Sequence, residues 1–227
     1  MNKIIIGLLF TVSCCLYAQK DSKRLSNSFV SFDLTSPVFN TVPRFGVGYY
    51  KSLNQKILIG GDFELGFEGL FSNHLIQENY FSFAVKPEII FTLPSFYKTH
   101  CWFSANMFYI YQSQKMYNGS FYSLEQLRTY HYESTDYLRF KYGANTNLNI
   151  IFKLSNKLRL QLKTGIGVKI RNVTFKNVVL NEPEFNWDDD IFGTQNYLNE
   201  AGQKVKPNLD FNISLIYLLI KSQKVIP

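Results

Sequence analysis

The sequence predicts an all-β fold: an eight-stranded antiparallel up-and-down transmembrane β-barrel with short periplasmic turns and longer extracellular loops. Three observations predict it. Eight segments alternate apolar and polar residues, the connections between them alternate in length, and an export signal precedes them. The clearest segment runs from Leu158 to Arg171. Its even positions are Leu158, Leu160, Leu162, Thr164, Ile166, Val168 and Ile170; its odd positions are Arg159, Gln161, Lys163, Gly165, Gly167, Lys169 and Arg171. Side chains two apart share a strand face, so one face is apolar and the other carries four cations. The stretch exceeds the roughly 9–11 residues that a tilted strand needs to cross a bilayer.

Residues 1–19 read as a signal peptide, with Lys3 as the charged start, Ile4 to Val12 as the apolar centre and Leu16-Tyr17-Ala18 before the cleavage point. The apolar run falls short of the roughly 20 residues of a helical span. Residues 20–227 then form one barrel domain, exported to the outer membrane of a bacterial cell. Cys14 and Cys15 lie in the signal; Cys14 follows Thr11-Val12-Ser13, a poor lipoprotein box. Only Cys101 remains afterwards, which rules out an internal disulfide. The formal charge of +7 falls to +6 without Lys3, and the basic residues are spread at strand spacing, so nucleic acid is not the expected partner. Aromatic residues make up 17% of the chain, as a lipid-facing wall with interfacial girdles requires.

The eight segments are 28–35, 43–51, 57–67, 79–92, 100–112, 135–152, 157–172 and 207–220. Short connections (Ser52 to Lys56, Leu93 to Thr99, Lys153 to Asn156) alternate with longer ones. The longer ones lie near Pro37 and after Glu68, Gln112 and Val173, the last two reaching about twenty and over about thirty residues, as in outer-membrane barrels. On the fourth segment Phe81, Phe83, Val85, Ile89 and Phe91 oppose Ser82, Ala84, Lys86 and Glu88. On the sixth, Leu138, Phe140, Tyr142, Leu148, Ile150 and Phe152 oppose Arg139, Lys141, Asn145, Asn147 and Asn149. On the eighth, Leu209, Phe211, Ile213 and Leu215 oppose Asn208, Asp210 and Asn212. Pro87 removes a ladder donor in mid-strand, which predicts a bulge there.

Periodicity does not say which face is inside. A soluble lipocalin-like barrel would turn the apolar face inward around a lipophilic ligand; a membrane barrel does the reverse. Gly46, Gly48, Gly60, Gly66, Gly143, Gly165 and Gly167 share the charged face, where missing side chains make room for long ones in a narrow interior. On the membrane reading, a polar lumen holds Arg44, Lys86, Arg139, Lys141, Arg159, Lys163, Lys169 and Arg171 with Asp33, Asp62, Glu64, Glu88 and Asp210. Both signs are present, so these groups can pair in a filled core; a conducting, porin-like pore is the alternative.

With a signal peptide, eight dyad-repeat strands and short turns set against long loops, the chain resembles the small OmpA/OmpX-like outer-membrane β-barrels over essentially its whole mature length. It departs from them in continuing past Tyr217 to Pro227 instead of finishing on an aromatic residue. The resemblance implies outer-membrane lipid as surroundings and a structural or loop-mediated role, with no enzyme activity and no cofactor. Some barrels of this size modify lipids, and His131, Glu133 and Ser134 form the one cluster suited to it, but their spacing does not guarantee a nucleophile–base contact. Asp188, Asp189 and Asp190 are weak candidates for a hard cation, at a spacing that fits no EF-hand, so no metal site is expected. Ser123-Leu124-Glu125-Gln126 reads as a capping box and predicts a short helix from Leu124 to Thr129. Loops 113–134 and 173–205 are the candidates for contact with an extracellular partner.

Overall fold

The computed structural model describes residues 28–39, 43–54, 56–68, 78–93, 99–123, 125–126, 128–180 and 199–219. Eight strands follow in chain order: β1 (Ser28–Asp33), β2 (Phe45–Ser52), β3 (Ile57–Phe67), β4 (Phe81–Thr92), β5 (Thr99–Ser123), β6 (Arg128–Lys153), β7 (Leu158–Leu180) and β8 (Glu200–Leu218). One helical turn, α1 (Ser36–Phe39), follows β1. Each strand pairs antiparallel with the next, and β8 returns to β1, so a single sheet closes into a ring.

The register fixes the shape of that ring. From Phe29 on β1, successive partners are Tyr50, Gly60, Glu88, Asn106, Asn145, Gly167 and Asn208. Asn208 stands six residues before Ser214, the partner of Asp33, so one circuit ends ten residues further along β1 than it began. With about 3.3 Å per residue and about 4.8 Å between strands, this stagger tilts the strands by about 40°.

Alternation along each strand becomes alternation between wall and interior. On β7, Gln161, Lys163 and Arg171 are buried, whereas Ile166 is 67% exposed and Val168 56%. The exterior is apolar in all eight strands, from Phe32 on β1 and Val47 on β2 to Leu209 and Phe211 on β8. It is also graded. The middle of the wall carries small or aliphatic side chains (Gly61, Pro87, Ala105, Ala144, Thr146, Ile166). Aromatic rings flank this band: Phe83, Tyr111 and Phe140 contact one another above it at 5.6 and 5.2 Å, and Phe91, Phe103 and Phe152 lie below.

Three local expectations are corrected. Segments 113–134 and 173–205 are largely strand: β5 runs to Ser123, β6 starts at Arg128, β7 runs to Leu180 and β8 starts at Glu200. Period-two reading stopped early because this part of the sheet is irregular. Asn118 and Asn177 sit at φ 49°, in the left-handed region that Asn tolerates best among residues with a side chain. The β6–β7 register slips between Tyr132 and Ser134 and again between Ser134 and Asp136. Each slip moves the following residues out of phase, as a bulge does. The predicted helix over 124–129 is also absent as such: Ser123 Oγ accepts a hydrogen bond from the Gln126 N–H at 3.2 Å in the β5–β6 turn, and Thr129 already belongs to β6.

The third correction concerns Pro87. The Gly61–Pro87 and Gly60–Glu88 pairs continue one register, and Val85–Tyr109 and Glu88–Asn106 share another, so no bulge forms. The ring points outward and faces Gly61, where a Cβ would come within 3.0 Å of the Pro87 Cα. A glycine partner thus admits the proline without a change of parity.

Candidate functional site

The interior is filled in three storeys. The lowest lies at the end bearing the β2–β3, β4–β5 and β6–β7 connections. There Phe29, Tyr50, Leu58, Ile90, Trp102, Ile151, Ile216 and Leu218 form a buried apolar plug. Phe29 stacks on Tyr50 at 4.7 Å and on Trp102 at 5.6 Å. The polar-lumen reading omitted this plug, although the signal is in the sequence. Near their lower ends the strands are apolar in both phases, as in Ile89-Ile90-Phe91, Ile150-Ile151-Phe152 and Leu215-Ile216-Tyr217-Leu218.

Above the plug, one hydrogen-bonded network crosses the lumen. Tyr50 supplies the bridge between storeys: its ring belongs to the plug, and its hydroxyl lies 2.7 Å from Glu88 Oε2 and 2.9 Å from Asp62 Oδ2. Gly60 opposite leaves room for the ring, since a Cβ there would lie 2.7 Å from Tyr50 Cδ1. Lys163 Nζ donates to Glu88 at 2.7 Å and lies 3.8 Å from Asp62. Ser104 Oγ donates to Glu88 at 2.5 Å, Asn149 Nδ2 donates to Ser104 at 2.9 Å, and Gln161 Nε2 donates to Asn149 at 2.7 Å. Ser31 Oγ donates to Asp62 at 3.0 Å. Glu64, 1% exposed, receives Arg44 Nε at 2.8 Å and also pairs with Lys86. Burying these charges without partners would cost several kcal/mol per ion, roughly, and the pairing offsets that cost.

The upper storey is different. Lys141 on β6, Arg171 on β7 and Lys204 on β8 stand directly opposite one another, and Lys169 faces Lys206 in the next row. Arg139 lies above Lys141 and is 6% exposed. Glu200 at the start of β8 pairs with Arg171 at 2.9 Å, Lys204 at 2.7 Å and Lys206 at 3.5 Å. Over this storey the strand ends converge. Tyr122 and Ser123 of β5 pair with Glu200 and Ala201 of β8, and Phe121 stacks on Phe175 at 4.2 Å.

The sequence-predicted lumen residues therefore divide. Asp62, Glu88 and Lys163 meet in the middle network, and Arg44, Glu64 and Lys86 form a second cluster beside it. Arg139, Lys141, Lys169 and Arg171 gather in the upper storey. Asp33 serves elsewhere: its Oδ1 accepts the N–H groups of Thr35 and Ser36 at 2.8 and 3.0 Å, capping α1. Arg159 lies at the lower rim, where its Nη1 donates to the Leu158 carbonyl at 3.0 Å and also to the Ser155 carbonyl. Asp210 stands opposite Gly165. Tyr50, Ser31, Ser104, Asn149, Gln161 and Glu200 are network members that the charge-based reading did not include.

The remaining candidates hold no comparable geometry. His131 and Glu133 are exposed and Ser134 is half-buried, and no hydrogen bond joins the three among the described residues. Asp188, Asp189, Asp190 and Cys14 lie outside the described residues, as does the whole signal segment. Among the described residues, no group of three or more His, Cys, Asp or Glu side chains is placed to hold a metal ion. Chemically, the middle network is a set of mutually satisfied donors and acceptors, which suits holding the strands together. No family model matches the chain, nor does any curated protein or any solved structure.

Proposed function

We propose that this chain is a non-enzymatic outer-membrane β-barrel protein, with a structural role or an interaction role carried by the sheet beyond its upper girdle. The observation that carries this reading is the inverted partition of side chains: apolar residues cover the outside while the charged ones are buried within. In water, such a continuous apolar exterior would far exceed the few hundred Å² that soluble monomers expose. In lipid it is the expected surface. From Leu160 to Ile170 the apolar face of β7 covers about 25 Å along the barrel axis at the tilt given above, the height of the apolar band in outer-membrane barrels. Aromatic rings above and below a smoother middle supply the two interfacial girdles. A lipocalin-like binder needs the opposite arrangement, with its apolar face around an internal cavity. The plug of Phe29, Tyr50 and Trp102 favours a filled lumen over a conducting one.

Membrane fractionation followed by electrophoresis of boiled and unboiled detergent-solubilised protein tests the reading. Recovery in the outer-membrane fraction, with slower migration after boiling, is the expected result. Recovery in the soluble fraction without detergent would overturn it.

A further inference from the structure

We propose that the upper lumen is a binding site for a small free oxyanion of the phosphate or sulfate type, held by Arg139 and Lys141 with Lys169 beside them. The register makes the case first. Lys141, Arg171 and Lys204 are direct cross-strand neighbours on the inward face, and so are Lys169 and Lys206. Side chains placed this way have Cβ atoms roughly 4.5–5.5 Å apart, and like charges there repel. Of the described carboxylates, Glu200 is the one ion-paired in this storey, and it is engaged by Arg171, Lys204 and Lys206.

Arg139 and Lys141 are left over. Neither has an ion-pair partner among the described residues, and Arg139 Nε, in a side chain 6% exposed, finds no hydrogen-bond acceptor there. Lys141 Nζ lies 6.0 Å from the centre of the Phe108 ring, at the limit of a cation–π contact. The charges bearing most on Lys141 are those of Arg139, Lys169, Arg44 and Lys86, all of its own sign. Buried cations persist when something negative offsets their desolvation. A guanidinium fork flanked by ammonium groups fits a tetrahedral oxyanion, which accepts several charge-assisted hydrogen bonds at once. The occupant is a free anion and not a lipid headgroup, because these side chains point to the interior, away from the apolar wall.

The test uses the full mature chain in detergent micelles, with inorganic phosphate as the probe and chloride at matched ionic strength as the reference. Phosphate is expected to raise the unfolding temperature saturably, by about 5–10 °C at a hundredfold excess over its Kd. Lys141→Met should abolish that shift, yet unfold no earlier than the parent in chloride, because it removes a repelled charge. Arg139→Gln, which keeps a polar head, provides an independent second variant should the first fail to fold. Lys163→Met, in the network below, should lower stability in both buffers while keeping the phosphate shift. Absence of a shift in the parent, or its persistence in both Lys141→Met and Arg139→Gln, would overturn the proposal. So would a shift that emerges only in Asp188→Asn/Asp189→Asn/Asp190→Asn, since the chain's own carboxylates would then be the occupant.

Discussion

Glu64 and Glu200 each draw cations from neighbouring strands, yet the first side chain is 1% exposed and the second 17%. Around Glu64 the partners Arg44 and Lys86 come from β2 and β4, on either side of its own strand. Around Glu200 the partners are Arg171 across the ladder and Lys204 and Lys206 on the same strand. The first cluster stands within a regular barrel above an aromatic plug, and the second where bulged strands converge. The same ion-pair chemistry therefore acts in two dielectric settings. It is structural where water is excluded, and adjustable where water and added ions can reach.

Replacing Glu64 breaks the comparison most sharply. Glu64→Gln leaves two buried cations without a counter-charge, a change expected to cost about 3–5 kcal/mol. Urea unfolding in detergent micelles should show this loss, and raising the salt concentration should recover little of it. A loss below about 1 kcal/mol would mean that water already screens this storey.

Trp102→Ala probes the plug beneath. The ring is 1% exposed and stacks on Phe29, so its removal should cost about 3–4 kcal/mol through lost burial and the cavity left behind. Planar-bilayer recordings should show no steady conductance for the parent and brief openings for the variant. A parent that already conducts would show that the plug does not seal the lumen.

Much of the barrel was legible because the interior is narrow. With eight strands, each inward position has to suit a crowded polar core, so parity is kept from Leu158 to Arg171 and from Phe81 to Phe91, even across Pro87. Legibility failed where one face no longer contrasts with the other. Leu58, Ile90, Ile151 and Ile216 are inward and apolar beside outward apolar neighbours, so period-two reading finds no signal for the plug. It failed again beyond Gln112 and Val173, where left-handed Asn118 and Asn177 and the slips near Ser134 put successive residues out of phase. Glu200 was missed for the same reason, since its strand was read as part of a loop.

The bulges give the next smaller effect. Asn118→Ala places a side chain without local hydrogen-bonding capacity at φ 49° and should cost about 1 kcal/mol, while Asn118→Gly should be close to neutral. Limited proteolysis at the β5–β6 tip would register the difference. Equal behaviour of the two variants would mean that the left-handed conformation is not what shapes this extension.

The smallest effect is expected at Glu200, and its dependence on salt is more informative than its size. Glu200→Gln removes the shared acceptor of three cations, but in a setting open enough to screen them. The expected loss is below about 1 kcal/mol at low ionic strength and should vanish near 1 M salt, where the screening length falls to about 3 Å. Glu64→Gln, measured alongside, should keep its deficit throughout. If phosphate occupies the upper lumen, it should also offset the Glu200→Gln loss at concentrations too low for general screening, because a bound oxyanion supplies the negative charge that the substitution removes. Chloride at the same ionic strength should not. Parallel recovery in the two salts would instead assign the whole effect to screening, and would leave Glu200 as a surface carboxylate among surface lysines.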